Sequence, residues 1–219
     1  MTNPIHLTVS KAGQLMQKEV LPTTRQSYRQ AAQVLGRAFA DEPVSVAVLK
    51  KFSLEGRIRA LTNDFSDELL CCIQKRFHPV HVNEDGKIIA SALIYPPCAY
   101  PLPATSQWLL LLKSFVRNGF YDIRDWMRWL DEVEKIHPQK PHYYLEYIGV
   151  EPNFQGKSIG STIMQHLIRK ADEESVGCYL ENANPRNLEF YKRFGFQVME
   201  EKEILDLPAW FMWRAPASR

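Results

Sequence analysis

Residues 142–169 constrain the fold most tightly, because one short segment, HYYLEYIGVEPNFQGKSIGSTIMQHLIR, combines the patterns of a strand, a loop and a helix. Residues 142–150 are rich in aromatic and β-branched side chains, which is typical of a largely buried strand. Pro152 ends this strand because it has no N–H to donate to a neighbouring strand. The apolar residues that follow recur at helical spacing: Ile159, Ile163, Leu167 and Ile168. We therefore predict a strand, a tight loop and an amphipathic helix in this order.

The loop at residues 155–160 reads QGKSIG and has the properties of an anion-binding site. Backbone N–H groups point out of the N-terminus of the predicted helix, and small residues allow a ligand to approach them. Lys157 adds positive charge at the rim. The spacing matches neither GxxxxGK[ST] nor GxGxxG, the two common nucleotide motifs. A diphosphate suits such a loop, and a plain strand-to-helix connection is the alternative interpretation.

A second segment, residues 180–196, predicts a short strand followed by a sharply started helix. Asn184 is suited to cap the helix, and Pro185 is suited to its first position. Apolar residues then fall on one face, and glycine ends the helix: Leu188, Tyr191, Phe194 and Gly195. Taken alone, Tyr191 is an ordinary amphipathic core tyrosine.

With these two segments in this order, the chain resembles the GNAT superfamily of acyl-CoA N-acyltransferases over about residues 142–214. The pyrophosphate loop of that family follows the pattern (Gln/Arg)xxGx(Gly/Ala), which Gln155 and Gly160 match. Ser158 stands where the first glycine is usual, and its Cβ raises the cost of a positive φ. Within the superfamily, the C-terminal segment resembles the puromycin N-acetyltransferases.

The resemblance implies that acetyl-CoA is the acetyl donor, and it assigns residues to that ligand. The end of the central strand would contact the pantetheine arm through Ile148, Gly149 and Val150. The diphosphate would lie on the loop and the first helical turn, at Gln155, Gly156, Lys157, Ser158, Ile159, Gly160 and Ser161. Asn187 would contact the CoA arm from the next helix.

The resemblance also assigns the chemistry. Tyr191 would protonate the leaving thiolate, and a phenol suits this because its pKa of about 10 is close to that of an alkyl thiol. Glu146 is the first candidate for the general base, since a carboxylate in an apolar strand requires a reason. A structural ion pair with Lys or Arg is the alternative role for Glu146. Glu181 and His81 are the second and third candidates for the base.

The fold class implied is α/β (α+β), with a mixed, mostly antiparallel central sheet, a splayed pair of central strands and flanking helices. We predict an N-terminal extension at residues 1–24, one acetyltransferase domain at residues 25–215 and a tail at residues 216–219. A helical insertion at about residues 106–137 is rich in large apolar side chains. These favour additional core over an aromatic wall for the substrate. The resemblance makes residues 39–46 a candidate rim of the acceptor pocket, and a plain helix end is the alternative interpretation.

Composition excludes several other classes of protein. A net charge of +2 over 219 residues gives no basic face for nucleic acid. The four cysteines have no CxxC spacing, which favours a reduced, cytoplasmic protein. His78 and His81 have no further ligands at metal-binding spacing. The apolar run at residues 108–112 is far shorter than the ~20 residues that span a bilayer.

We therefore expect an N-acetyltransferase that transfers an acetyl group directly from acetyl-CoA to the primary amine of a small molecule. A protein or peptide N-acetyltransferase is one alternative, and a non-catalytic acyl-CoA-binding regulatory module is another. The substitution at Ser158 favours the non-catalytic module, whereas Tyr191 argues against it. Either a monomer or a homodimer is compatible with this sequence.

Overall fold

A computed structural model describes residues 18–77, 79–118 and 123–217 of the chain. The strands are β1 (Val20–Pro22), β2 (Val80–Glu84), β3 (Lys87–Tyr95), β4 (His142–Val150), β5 (Gly177–Asn182), β6 (Gln197–Ile204) and β7 (Leu207–Arg214). The helices are α1 (Tyr28–Phe39), α2 (Pro43–Val48), α3 (Leu54–Gln74), α4 (Ala104–Asn118), α5 (Ile123–Ile136), α6 (Ile159–Glu173) and α7 (Pro185–Arg193). Each element of the predicted strand, loop and helix unit at residues 142–169 is present.

The seven strands form one sheet in the order β1-β2-β3-β4-β5-β7-β6. Only the β4–β5 pair is parallel, and its register runs from His142↔Gly177 to Tyr144↔Tyr179. Beyond that point both strands continue without further pairing to each other among the described residues, so they splay apart. The mixed, mostly antiparallel sheet with a splayed central pair is confirmed.

Helices cover both faces of the sheet and enclose two hydrophobic cores. The first core joins the sheet to α6 and α7, and the second joins it to α1, α3 and the insertion. Strand β3 is buried on both faces beyond its first residue, as its continuous apolar pattern predicted. Local signals agree with these elements, since the Ser53 hydroxyl accepts from Gly56 N at the start of α3 (3.2 Å).

The insertion forms two helices, but α4 does not pack as predicted. Its exposed face carries Trp108 and Val116, which are 71% and 72% exposed. Its polar side chains contact α3 instead, because Lys113 and Arg117 pair with Asp67 at 3.3 and 2.9 Å. The expectation of additional core is therefore wrong for α4, whereas Val133 of α5 is buried. Phe120 lies outside the described residues.

The N-terminal region contributes an edge strand to the sheet. Strand β1 pairs antiparallel with β2, with Leu21 opposite His81. The short strand expected at residues 5–9 lies outside the described part of the chain. Over the described ranges, no helix is long and apolar enough to cross a membrane.

Candidate active site

The loop between β4 and α6 adopts an unusual backbone conformation. Gly156 and Ser158 have positive φ angles of 74° and 60°. The Gln155 Nε2 donates a hydrogen bond to the Val150 carbonyl at 3.2 Å, which ties the loop to the end of β4. The first N–H groups of α6 have no acceptor within the helix. The loop therefore presents a concave group of N–H donors, which is the form of an anion-binding nest.

Ser158 occupies the left-handed conformation that glycine would adopt without cost. It is the residue before α6, and its side chain makes no capping hydrogen bond. A left-handed conformation costs a residue with a Cβ about 1 to 2 kcal/mol. The serine keeps the loop geometry of the family pattern, and it does so at the expense of local strain.

The surroundings of the loop fit a diphosphate. Residues 155–158 are exposed, and the Lys157 Nζ lies 4.9 Å from the centre of the Phe154 ring. Gly160 faces Phe190 of α7, whose ring would be 3.4 Å from an added Cβ. Residues 155–161 can thus hold a diphosphate with backbone N–H groups and one adjacent cation.

At the end of β4, successive residues face opposite sides of the sheet. Ile148 and Val150 pack against the core that contains α6 and α7. Gly149 points the other way, since a Cβ there would be 2.9 Å from both Leu35 and Ala38 of α1. Only the backbone of Gly149 is therefore available to a ligand on the α6 side.

Tyr191 lies in α7 and is 8% exposed. Its ring packs edge-on against Phe190 and Phe196, with centroid distances of 5.3 and 6.3 Å. Burial, and then the negative charge of Glu42, raises the pKa of the Tyr191 phenol. The phenol is therefore fully protonated at neutral pH, and it is a weaker acid than the unperturbed phenol considered from the sequence.

Asn187 contacts a carboxylate in this structure. Its side chain and that of Asn184 both form hydrogen bonds with Glu42, the residue before α2, and the Asn184 contact measures 3.2 Å. Burial raises the pKa of Glu42, and the two hydrogen bonds oppose this shift. Glu42 belongs to the predicted acceptor rim, so the rim meets the start of α7 beside Tyr191.

Glu146 projects from an irregularity in β4. The β3–β4 register passes from Leu93↔Tyr147 to Ile94↔Leu145, which leaves Glu146 without an opposite residue. Its Oε2 is buried and has no hydrogen-bond partner among the described residues. Burial and the neighbouring Glu68 raise the pKa of Glu146 well above its usual value.

Glu68 of α3, which sequence reasoning missed, is the partner of Glu146. The Tyr95 and Tyr147 hydroxyls donate to its two oxygens at 3.3 and 3.1 Å. Burial raises the pKa of both carboxyl groups, and two neighbouring buried carboxyls favour a state in which one of them holds a proton. The ion pair proposed as the alternative for Glu146 is absent from the described residues. The sequence feature that could have indicated Glu68 is a group of acidic residues within an apolar helix.

An aromatic trio stands next to this carboxyl pair. Phe39 of α1, Phe65 of α3 and Tyr147 of β4 have ring centroids between 4.8 and 6.2 Å apart. Glu68 and Glu146 are both partly exposed in this region. The three rings thus form an apolar surface beside the two carboxyl groups.

The other candidate bases lie in different places. Glu181 of β5 is 3.7 Å from the Nδ1 of His137, and the two side chains are each 8% exposed. The charge of Glu181 contributes to the raised pKa of Glu146, so the two carboxyls are neighbours. His81 is bonded to the Thr23 hydroxyl at 3.1 Å on β2, and β3 separates it from β4.

Neither metal nor disulfide chemistry is indicated in the described ranges. No group of three or more His, Cys, Asp or Glu residues could hold a metal ion there. The four cysteines are unpaired: Cys71, Cys72, Cys98 and Cys178. His78 lies outside the described residues.

Comparison with known proteins finds relatives whose sequences match short segments of this chain. The chain is 33% identical over 63 residues to mycothiol acetyltransferase of Propionibacterium freudenreichii, covering 27% of this chain and 20% of that protein. It is 34% identical over 62 residues to the uncharacterized N-acetyltransferase YjcF of Bacillus subtilis, covering 28% and 44%. The chain thus matches less than half the length of these curated relatives.

Solved structures show the same fold over nearly the whole chain. The structure of a histone acetyltransferase HPA2 and related acetyltransferase from Corynebacterium glutamicum has a TM-score of 0.65 and 24% identity. The match covers 93% of this chain and 99% of that chain. The C-terminal condensation domain of Ebony, solved with beta-alanyl-dopamine, has a TM-score of 0.63, 10% identity and coverage of 90% and 98%. The PaiA N-acetyltransferase of Thermoplasma acidophilum, solved with coenzyme A, has a TM-score of 0.55, 13% identity and coverage of 90% and 98%.

The family model described as "Acetyltransferase (GNAT) family" matches residues 48–196, which is more than half of the chain. This match contains the splayed strands, the loop before α6 and the carboxyl groups of Glu68, Glu146 and Glu181. The chain therefore belongs to the GNAT acetyltransferase family, whose members are acetyl-CoA-dependent acyltransferases.

Proposed function

We propose that this protein transfers an acetyl group directly from acetyl-CoA to the primary amine of a small molecule. The observation that carries the proposal is the partnerless Glu146 carboxyl oxygen at the irregularity of β4. Glu146 lies in the splayed part of β4, beyond its last position paired with β5, and beside the aromatic trio. A buried carboxyl group in this position is suited to accept a proton from an amine.

The acetyl thioester supplies an activated carbonyl, and the protein supplies proton transfer and orientation. An alkyl amine has a pKa of about 10, so it must lose a proton before it attacks. In our proposal Glu146 takes that proton, and Glu68 shares the charge of the pair. The free N–H groups of the splayed end of β4 stabilise the developing oxyanion. Tyr191 holds its proton for the departing sulfur.

The aromatic trio supports a small acceptor. Phe39, Phe65 and Tyr147 restrict the space beside Glu146 with rigid apolar rings. Such walls with a few polar groups are typical of small-molecule sites. The fold of the bacterial ribosomal-protein-S18-alanine N-acetyltransferase is similar, at a TM-score of 0.54 and 15% identity, so a peptide acceptor remains the second candidate.

The non-catalytic alternative loses its main argument. It rested on Ser158, which adopts the left-handed conformation that the family glycine position requires. Burial raises the pKa of the Tyr191 phenol and of the Glu146 carboxyl. A module that only bound acyl-CoA would have no need of these groups. A cytoplasmic location and a monomeric or homodimeric state stay predictions.

The test combines binding with turnover. Acetyl-CoA is titrated into the purified protein by calorimetry, and the protein is then incubated with labelled acetyl-CoA and a panel of primary amines. We expect micromolar binding and new acetylated amines detected by mass. Binding without acetylation of any amine, but with acetylation of added peptides, would replace the small-molecule acceptor by a peptide. Absence of binding at millimolar acetyl-CoA would refute the acetyltransferase proposal itself.

A further inference from the structure

A second set of partnerless polar atoms lies beyond Glu146, and the proposed chemistry does not use it. The set consists of Glu181 Oε1, His137 Nδ1, His142 Nε2 and the Tyr179 hydroxyl, all buried without a hydrogen-bond partner among the described residues. The 3.7 Å between His137 Nδ1 and Glu181 Oε1 is too long for a hydrogen bond. Buried polar atoms are nearly always paired, so several in one place indicate a missing partner.

Aromatic rings surround this second set. His137 is the centre of the group, with ring centroids 4.5 Å from Tyr100, 4.8 Å from Tyr144 and 4.8 Å from Tyr179. Tyr100 comes from the loop after β3, whereas Tyr144 and Tyr179 face each other across the last paired position of β4 and β5. Ring faces beside a carboxylate favour a cation, because both attract positive charge.

The carboxylates around this second set are balanced by the protein only if His137, 3.7 Å from Glu181, is protonated. The Glu68 and Glu146 pair keeps one negative charge when it shares one proton, and Glu181 adds a second carboxylate nearby. None of the three has a Lys or Arg within ion-pair distance over the residues that the structure describes. Burying carboxylates without a cation is costly. An acceptor with two positive charges would satisfy both positions.

We propose that Glu181, with the rings of Tyr100, Tyr144 and Tyr179, binds a second ammonium group of the acceptor, so that the acceptor is a linear aliphatic diamine. This inference rests on the proposed function, and it names the substrate class of the same site. One amine loses its proton to the Glu146 pair and attacks the thioester. A C–N bond forms, the C–S bond breaks, and the thiolate receives the Tyr191 proton. The second proton that the attacking nitrogen loses returns the Tyr191 phenolate to its neutral form. The other ammonium stays charged on Glu181 throughout.

The test compares diamines with monoamines of equal chain length. The substrates are 1,4-diaminobutane and 1,5-diaminopentane against butylamine and pentylamine, with 2-phenylethylamine as an aromatic monoamine. We expect kcat/KM to be at least about tenfold higher for the diamines, in line with one buried charge-assisted contact. In Glu181→Gln we expect the KM for diamines to rise about tenfold with a smaller change in kcat. Glu201→Gln, an exposed residue of β6, is the matched control.

The outcomes separate this inference from the function on which it rests. Equal kcat/KM for diamines and monoamines would overturn the diamine site and leave the small-molecule acetyltransferase standing. The same conclusion follows if Glu181→Gln lowers turnover of both classes equally. Acetylation of no amine in the panel would overturn the small-molecule function as well. The comparison of wild-type substrates decides the matter even if Glu181→Gln does not fold.

Discussion

The two sides of strand β4 offer different groups to a ligand. On the α6 side, an exposed loop offers backbone N–H groups, and two of its residues have positive φ angles. On the α3 side, Glu68, Glu146 and Glu181 offer side-chain carboxyls in a largely buried, aromatic setting. A ligand on the first side would depend on main-chain geometry, and a ligand on the second side would depend on the identity of particular side chains.

This difference predicts how each side responds to mutation. A side-chain substitution in the loop leaves its N–H donors in place, so its effects should be small unless it changes φ. A substitution in the carboxyl cluster removes the reacting group or changes the charge around it. Effects on catalysis should therefore be concentrated on the α3 side and at Tyr191.

The largest effect is expected for Glu146→Gln. Glutamine keeps the shape of the side chain but cannot accept the proton, so kcat/KM should fall by about 10³-fold. Acetyl-CoA affinity, measured by calorimetry, should stay the same because the loop is on the other side of β4. A fall of less than about threefold would assign the base to another group or to water.

The next effect is expected for Tyr191→Phe. Removal of the hydroxyl takes away the proton donor for the thiolate, and kcat should fall by about 10²-fold. The ring keeps its packing against Phe190 and Phe196, so thermal stability should change little. Steady-state kinetics measure the loss, and calorimetry checks that acetyl-CoA binding is retained. Unaltered kcat would remove Tyr191 from the mechanism.

The same contrast explains what the sequence could predict. The loop and Tyr191 belong to contiguous motifs, and their local patterns predicted both the elements and their order. Glu68 lies 78 residues before Glu146, and nothing local connects them. Only the packing of α3 against the sheet brings their carboxyls together.

Helix α4 shows another limit of sequence reasoning. Its periodicity correctly predicted an amphipathic helix, and the apolar face was assigned to the core. In the structure Lys113 and Arg117 turn that face outward, because Asp67 of α3 is 9% exposed at the side chain and pairs with both. Periodicity defines two faces of a helix, but the partner element decides which one is buried.

A third prediction concerns pH. Glu146 acts as a base only when it is deprotonated, and burial followed by the charge of Glu68 raises its pKa. Activity should therefore rise with pH along an acidic limb that lies above the ordinary glutamate range. Glu68→Gln removes the charge but not the burial, so the limb should move to lower pH by about one unit.

The measurement is kcat/KM as a function of pH for the wild type and Glu68→Gln. Glu201→Gln, at an exposed carboxyl of β6, should leave the limb unchanged. A limb that did not move in Glu68→Gln would mean that the two carboxyls titrate independently. A limb that moved to higher pH would contradict the sign of the interaction.

The smallest effect is expected on the α6 side, at Ser158. Glycine removes the strain of φ 60° but makes the unfolded chain more flexible, so Ser158→Gly should stabilise the protein by only about 0.5 kcal/mol. Acetyl-CoA affinity should stay within about threefold, because the backbone N–H is unchanged.

Ser158→Ala is the matched control, since it keeps the Cβ and removes the hydroxyl. Urea denaturation measures stability, and calorimetry measures affinity. Weakened binding in both variants would show that the hydroxyl contacts the ligand, and the contrast between the two sides of β4 would then fail at this residue.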